Sequence, residues 1–238
     1  MKLFLTILSL ILLSHSLATA GDSLRLYAPF EGSPVPDFSA SKFHPTVIGE
    51  LEYVDGVKGR AVVCNADKGY ISFPIDQIFN AEVGTLSLWM KPLDWEDGDG
   101  KFHFLTAFLS SNDSNRQRFL LYKYHMDSSL TLLMDTENPK QANLIQKDPG
   151  DWSRDVWRHY VLTWTPDELT IYLDGEMFAT VQRTIPFEEA EFESLLLGNG
   201  AFGLESGKSA FDELQVYDEA LTPEEILALY DENKTALE

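Results

Sequence analysis

The sequence contains a single cysteine, Cys64, among 238 residues, so no disulfide can form within the chain. Its stability must therefore come from a hydrophobic core, which a chain of this length is able to bury. Cys64 follows the apolar run Ala61–Val63. This pattern predicts a small buried side chain in a strand rather than a nucleophile.

Basic residues are also scarce. Lys and Arg together number 18, against 38 Asp and Glu, which gives a formal net charge of −20. Nucleic acids and anionic membranes are bound through basic patches, so the composition argues against both as partners. The acidity suits an exported protein, and such charge is more often a solvated surface than a cation site.

Long apolar runs are missing after the first twenty residues, so no later segment is suited to membrane insertion. At the start, Lys2 precedes the apolar run Leu3–Leu13, and Ala18-Thr19-Ala20 matches a small-x-small cleavage site. We therefore expect a signal peptide at 1–20 and a single domain over 21–238 in a secreted protein, extracellular or periplasmic. A membrane anchor is the alternative, but the apolar run is shorter than the roughly 20 residues that span a bilayer.

Helical periodicity is nearly absent, whereas about a dozen short segments show the period-two alternation of half-buried strands. In Leu169–Leu173, for example, the aliphatic residues alternate with Thr170 and Tyr172. The Asp174-Gly175 pair that follows predicts a tight hairpin turn, because both turn positions need positive φ. The segment 31–45 is predicted to be a long connection, and 135–154 is predicted to be rich in loops.

The clearest helical pattern lies near the end of the sequence. Thr222 is a suitable N-cap, Pro223 fits the first helical position, and two glutamates follow. The predicted fold class is therefore all-β, a two-sheet antiparallel jelly-roll sandwich with a short C-terminal helix. The first strand, at 24–30, and the last, at 211–217, are expected to pair or to lie close together.

Several groups of residues carry a resemblance to a known family. They are Trp157-x-His159, Tyr172-Leu173-Asp174-Gly175, and Phe211-Asp212-Glu213 with Ala220-Leu221 and Glu224-Glu225-Ile226. In this order the sequence resembles the laminin-G-like (LamG-like) jelly roll domain of the concanavalin A-like lectin/glucanase superfamily, over 24–230. One departure is Asp37-Phe38-Ser39-Ala40, where members often carry Asp-x-Ser-Gly.

The resemblance implies an exported protein that binds glycans or other proteins, often with a structural calcium ion. Members with calcium tend to hold it where the first and last strands meet, and the matching residues here are Glu31 and Asp212. Carboxylate oxygens are suitable Ca²⁺ ligands. The alternative for Asp212 is structural, since a buried carboxylate often accepts hydrogen bonds from backbone amides.

Candidate ligand-binding residues are aromatic and polar side chains that a sugar could stack on or hydrogen-bond to. Trp95 and Trp152 lie in polar, loop-like segments, where a Trp ring has little reason to be buried. Arg118, Tyr122 and Tyr124 share one side of a predicted strand, with His125 next to it, and this face could line the concave sheet. The ordinary alternative is a half-buried ring with only its polar tip in water. The three other tryptophans lie in strand-like segments and are predicted core residues: Trp89, Trp157 and Trp164.

Catalytic signatures are missing from the sequence. Glucanases of the superfamily carry a Glu-x-Asp-x-x-Glu strand, which is absent, and no Gly-x-Ser-x-Gly elbow occurs. We therefore predict a secreted, non-catalytic module that binds a carbohydrate or glycoconjugate. A protein-interaction or adhesion domain is one alternative, and a divergent glycoside hydrolase or polysaccharide lyase is another.

Overall fold

The computed structural model describes residues 22–65, 68–110, 117–136, 140–186, 192–200 and 206–234. The predicted signal peptide lies outside these residues. Within the described segments, no helix is both long enough and apolar enough to cross a membrane.

The described residues form two antiparallel sheets and one helix. The strands are, in chain order, β1 (Leu24–Ala28), β2 (Phe38–Ser39), β3 (Thr46–Gly49), β4 (Glu52–Asp55), β5 (Arg60–Cys64), β6 (Gly69–Pro74), β7 (Gly84–Pro92), β8 (His103–Ser110), β9 (Gln117–Lys123), β10 (Leu130–Thr136), β11 (Gln141–Lys147), β12 (Arg158–Trp164), β13 (Glu168–Leu173), β14 (Glu176–Gln182), β15 (Phe192–Leu197) and β16 (Ser209–Tyr217). The nine-stranded sheet has the order β14-β13-β12-β7-β16-β1-β2, with β5 paired to β16 and β4 paired to β5. The seven-stranded sheet has the order β11-β10-β9-β8-β15-β6-β3. This architecture confirms the predicted two-sheet, all-β jelly roll.

The hydrophobic core fills the space between the two sheets. Leu86, Leu88 and Met90 of β7 belong to it, as the alternation of that strand predicts. Phe108 enters it from the seven-stranded sheet, and Cys64 is buried in the same core, as expected. Because each fully buried side chain of this kind contributes roughly 1.5–3 kcal/mol, apolar burial stabilises a sandwich that has no internal disulfide.

Strands β1 and β16 are antiparallel neighbours, with Tyr27 opposite Gln215. The first and last strands therefore pair, as expected. The hairpin between β13 and β14 also forms as predicted, since Asp174 and Gly175 have φ values of 53° and 82°. A Cβ on Gly175 would lie 3.0 Å from the Leu227 side chain, so glycine also allows the C-terminal helix to approach the turn.

That helix, α1 (Pro223–Lys234), packs on the outer face of the nine-stranded sheet. It begins with a capping box, in which Thr222 Oγ1 accepts the Glu225 amide at 3.3 Å and the Glu225 carboxylate accepts the Thr222 amide at 2.8 Å. Further along the helix, Tyr230 stacks on Trp89 with ring centroids 5.6 Å apart. The helix therefore occupies one outer face of the sandwich, and the outer face of the seven-stranded sheet lies on the other side.

The segments 31–45 and 135–154 each also contain a strand that the sequence pattern did not predict. Strand β2 is only two residues long, too short for an alternation to show. Strand β11 is an edge strand in which only Asn143 and Ile145 are buried. An edge strand with so little buried surface lacks the apolar pattern that identifies a strand in sequence.

Candidate binding face

The candidate site is the outer face of the seven-stranded sheet, the side turned away from the core. In β9, Phe119 and Leu121 enter the core between the sheets, so Arg118, Leu120 and Tyr122 point the other way. Tyr124, just after the strand, packs against the same outer cluster. The structure thus places Arg118, Tyr122 and Tyr124 together, as the strand pattern predicted.

The strand register extends this face into rows that cross the sheet. One row is apolar, and its members are adjacent cross-strand partners: Leu144, Leu133, Leu120, Ala107 and Leu196. Leu120 and Leu196 are almost fully buried at 2% and 6%, while Leu144 at the sheet edge is 47% exposed. The outer face is therefore apolar at its centre and open at its β11 edge.

The second row is aromatic and depends on a β-bulge in β8. Phe104 lies opposite Tyr122, but the next pair is Thr106 with Leu121, so Leu105 is an extra residue. In a regular strand, without the bulge, Phe104 and Phe108 would share one face, because they are four residues apart and side chains alternate with period two. The bulge turns Phe104 to the outer face while Phe108 stays in the core.

At the end of this row lies the aromatic patch, which we define as Phe102, Phe104, Tyr122, Tyr124 and His125. Ring centroids are 4.5 Å apart for Phe102 and His125, 5.6 Å for Phe102 and Tyr124, and 5.8 Å for Phe102 and Tyr122. Phe102, Tyr124 and His125 are partly exposed, and Met126 beside them is 73% exposed. The patch therefore presents aromatic surface to solvent.

The third row places a charged pair on the same face. Arg118 lies opposite Asp135 and binds its carboxylate with two nitrogens, the Nε at 2.8 Å from Oδ1. The Asp135 side chain is 10% exposed and that of Arg118 is 25% exposed, so the pair is largely fixed but reachable from solvent. Burial, with a smaller contribution from Tyr124, raises the pKa of Tyr122 to about 12, so its hydroxyl keeps its proton at neutral pH.

The prediction that Trp95 and Trp152 are exposed was wrong, since each is only 2% exposed. The Trp95 indole N–H donates to Ser209 Oγ at 2.9 Å, and the Trp152 indole N–H donates to the Ser128 carbonyl at 2.6 Å. Because both polar tips are satisfied within the protein, neither ring needs contact with water. Both rings are part of the core and offer no surface for stacking.

Trp157 is the opposite case. It was predicted to lie in the core but precedes β12 and is partly exposed, with Lys91 Nζ 5.0 Å from the centre of its ring. Trp89 and Trp164 are buried, as predicted. The strand-like sequence pattern therefore predicted burial correctly for Trp89 and Trp164. It was wrong for Trp157, which lies just before the start of β12.

A buried charged network supports the loop that precedes β8. Lys123 and His103 side chains are 0% and 1% exposed, and both donate to Asp99, through Nζ at 2.7 Å and Nε2 at 2.6 Å. The Gly207 amide donates to His103 Nδ1 at 3.0 Å, which assigns the ring proton to Nε2. Burial lowers the pKa of His103 to about 4. Burial opposes ionisation of Asp99, but hydrogen bonds from Lys123 and His103 outweigh it and lower its pKa.

The residues matched to a calcium site form a different arrangement. Asp212 is fully buried, and its Oδ2 accepts the amides of Val57 and Lys58 at 2.8 and 3.1 Å, while Oδ1 accepts the amide of Glu213 at 2.9 Å. A Cβ on Gly56 would lie 2.4 Å from Oδ2, so the turn after β4 closes tightly on this carboxylate. Burial raises the Asp212 pKa to about 7.

Glu31 is the second matched residue, and its Oε2 accepts the Arg60 amide at 3.1 Å. Within the described segments, no three His, Cys, Asp or Glu side chains are grouped so as to hold a metal. With its oxygens directed at backbone amides, Asp212 fits the structural alternative better than a Ca²⁺ ligand. Calcium binding at Glu31 and Asp212 stays a prediction.

Sequence reasoning missed two members of the patch, Phe102 and Phe104. In Phe102-His103-Phe104 the aromatic rings alternate with a polar residue, and this alternation does put both rings on one side of the sheet. The bulge at Leu105 decides whether these two rings lie on the outer face of the sheet or in the core. A strand in which the apolar pattern changes phase midway is the signal that could have revealed the bulge.

The two packed antiparallel sheets define a β-sandwich of the jelly-roll class. The chain belongs to the concanavalin A-like lectin/glucanases superfamily, because a laminin-G family model of that superfamily matches residues 65–227. No curated protein matches the sequence significantly.

Solved structures confirm the fold. Domain 4 of AbnA, an extracellular arabinanase from Geobacillus stearothermophilus solved with arabinotriose, matches with a TM-score of 0.68 and 18% identity over 87% of this chain and 98% of that domain. The receptor binding domain of botulinum neurotoxin mosaic serotype C/D matches with a TM-score of 0.72 and 13% identity, over 90% of this chain and 52% of that one. The binding domain of Paraclostridial Mosquitocidal Protein 1 gives 0.67 and 16%, over 90% and 53%. This chain therefore spans about half the length of the two toxin domains, and at these identities the likeness concerns the fold alone.

Proposed function

We propose that the protein is a secreted, non-catalytic binding module that recognises a carbohydrate or glycoconjugate through the outer face of the seven-stranded sheet. The observation that carries the proposal is the aromatic patch, in which Phe102, Tyr124 and His125 are partly exposed on one surface. A sugar ring has an apolar face that stacks on such rings. The solved structure of a similarly folded arabinanase domain with arabinotriose is consistent with this use of the fold.

Polar groups beside the patch supply hydrogen-bond donors and acceptors for the hydroxyl groups of a sugar. Arg118 and Asp135 are fixed by their mutual ion pair, and the protonated hydroxyl of Tyr122 lies in the neighbouring row. Fixed donors and acceptors give specificity because they lose little conformational entropy on binding. The arrangement supports recognition of a hydroxylated ring rather than of a purely apolar ligand.

A non-catalytic role is supported by the surroundings of Asp135. Glycosidases need two carboxyl groups roughly 5–9.5 Å apart across the scissile bond. Among the residues of the three rows, Asp135 is the one carboxylate, and its partner is the guanidinium of Arg118. An ion-paired carboxylate without a second carboxyl group in these rows is suited to hydrogen bonding rather than to acid–base catalysis.

The test is affinity electrophoresis of the secreted protein in gels that contain single polysaccharides, including arabinan, followed by calorimetry with the oligosaccharides of any that retard it. Retardation by at least one polysaccharide, without release of reducing sugar, supports the proposal. Absence of retardation throughout the panel contradicts it. Secretion is tested separately by N-terminal sequencing, which is expected to begin at Gly21.

A protein-interaction or adhesion domain is the second candidate. It is favoured by the exposure of Met126 at 73% and Leu144 at 47% along the same face, since apolar side chains in contact with solvent are common at protein interfaces. Capture experiments with envelope proteins, run in parallel with the gels, distinguish the two functions.

A further inference from the structure

We propose that the spacing of two rings of the aromatic patch, Phe102 and Tyr124, is fixed by three side chains on the inner side of the seven-stranded sheet. These side chains, which we call the clamp, are Asp99, His103 and Lys123. The inference rests on the glycan-binding function proposed above. It adds positioning residues that affect binding without contacting the ligand.

The clamp lies at the end of the ladder between β8 and β9. His103 is the first residue of β8, Lys123 is the last residue of β9, and the two are cross-strand partners. Phe102 and Tyr124 come directly outside this terminal pair. Because the ends of a ladder are where strands open most readily, the distance between these two rings depends on how firmly the terminal pair is held.

The terminal pair and the aromatic patch lie on opposite faces of the sheet. Phe104 and Tyr122, which adjoin His103 and Lys123 in sequence, belong to the outer cluster. The His103 ring instead stacks on the buried ring of Trp95, with centroids 3.8 Å apart. The clamp therefore lies beneath the patch and acts on it through the backbone of the two strands.

One carboxylate joins both strands. His103 Nε2–H donates to Asp99 Oδ2 at 2.6 Å, and Lys123 Nζ donates to Asp99 Oδ1 at 2.7 Å. The side chains of His103 and Lys123 are 1% and 0% exposed, so little water is available to replace the carboxylate as their acceptor. Opening of the strand ends would break both hydrogen bonds, which opposes it.

A ligand that stacks on the patch needs the clamped arrangement of the rings. The ring centroid of Phe102 is 5.6 Å from that of Tyr124 and 4.5 Å from that of His125. When the terminal pair opens, these distances are no longer fixed. The apparent affinity then falls in proportion to the fraction of molecules that keep the binding arrangement.

The test uses two clamp variants that leave the patch rings unchanged. Asp99→Asn removes the carboxylate that both strands share, and Asp99→Asn/Lys123→Met also removes the buried ammonium group. Calorimetry with the best-retarding glycan measures affinity, and urea denaturation measures stability. Hydrogen exchange of the amides at 102–104 and 122–125 measures opening of the strand ends.

The matched control is Arg183→Met, which also removes a buried, hydrogen-bonded charge. The Arg183 guanidinium donates to the carbonyls of Ala81 and Glu82 at 2.9 and 3.0 Å, directly before β7. Asp99 follows the other end of that strand. The control therefore destabilises the fold at the end of the sandwich away from the clamp.

We expect both clamp variants to bind about threefold to tenfold more weakly than the wild type, with faster exchange in the two segments. The double variant should regain stability but not affinity, because it still lacks an acceptor that joins both strands. Arg183→Met should lose stability and keep the wild-type affinity.

Recovery of affinity together with stability in the double variant would overturn the inference, as would unchanged exchange in both clamp variants. An equal loss of affinity in Arg183→Met would also overturn it, because general destabilisation would then explain the effect. Absence of glycan binding by the wild type contradicts the proposed function instead, and hydrogen exchange then still decides whether Asp99 holds the strand ends together.

Discussion

The ammonium nitrogen of Lys123 lies 2.7 Å from Oδ1 of Asp99, and the lysine side chain is completely buried while that of Asp99 is 20% exposed. The two charges are therefore unequal in their access to water. A buried ammonium depends on its partner, whereas a partly exposed carboxylate can still be solvated.

This asymmetry predicts which substitution is more damaging. Asp99→Asn leaves Lys123 buried without a counter-charge, which costs about 3–5 kcal/mol. Lys123→Met removes the charge itself and leaves Asp99 with His103 and some water, so it should cost less. Urea denaturation of both single variants and the double variant checks this, and the double variant is expected to be more stable than Asp99→Asn. A larger loss for Lys123→Met would contradict the description of this network.

The second prediction concerns Asp212. Asp212→Ala leaves three backbone amides, those of Val57, Lys58 and Glu213, without an acceptor, and should cost about 3 kcal/mol or more. If those amides are the partners of the carboxylate, EDTA and added Ca²⁺ leave the melting temperature of the wild type unchanged, which calorimetry can measure. A lower melting temperature in EDTA would instead support the prediction, untested so far, that Glu31 and Asp212 bind calcium.

The third prediction concerns pH. Burial lowers the pKa of His159 to about 3, below its ordinary value of 6.5. Between these pH values the unfolded chain binds a proton that the folded protein does not. The stabilising contribution of neutral His159 is therefore complete above pH 6.5 and is lost as pH falls towards the folded value.

The variant His159→Gln isolates this contribution, because glutamine does not titrate. The loss of unfolding free energy in this variant, relative to the wild type, should shrink by about 1.4 kcal/mol per pH unit as the pH falls below the ordinary histidine pKa of 6.5. Urea denaturation at several pH values measures the difference. A destabilisation independent of pH would show that His159 is not held neutral.

The sequence was sufficient for most of the fold because the relevant signals are local. The alternation in Leu169–Leu173, the Asp174-Gly175 turn and the N-cap at Thr222 each depend on residues next to one another in the chain. Strand β11 was missed because its stability comes from pairing with β10, which its own polar sequence does not show.

The candidate site was predicted only in part, for a related reason. Arg118, Tyr122 and Tyr124 share a side by simple alternation. Trp95 and Trp152 were misplaced because their burial depends on distant acceptors, Ser209 Oγ and the Ser128 carbonyl. Polar neighbours in the sequence did not mean that the two rings are exposed to solvent, because their indole N–H groups donate to acceptors that are distant in the sequence.

The central claim, that the aromatic patch is the binding surface, is tested most directly by calorimetric titration of the best-retarding glycan into Phe102→Ala and Tyr124→Ala. Met177→Ala is the matched control, because Met177 is 63% exposed on β14 of the other sheet. The account predicts that both patch variants lose about tenfold in affinity with unchanged circular dichroism spectra, while the control binds as the wild type does. Wild-type affinity in both patch variants would contradict it.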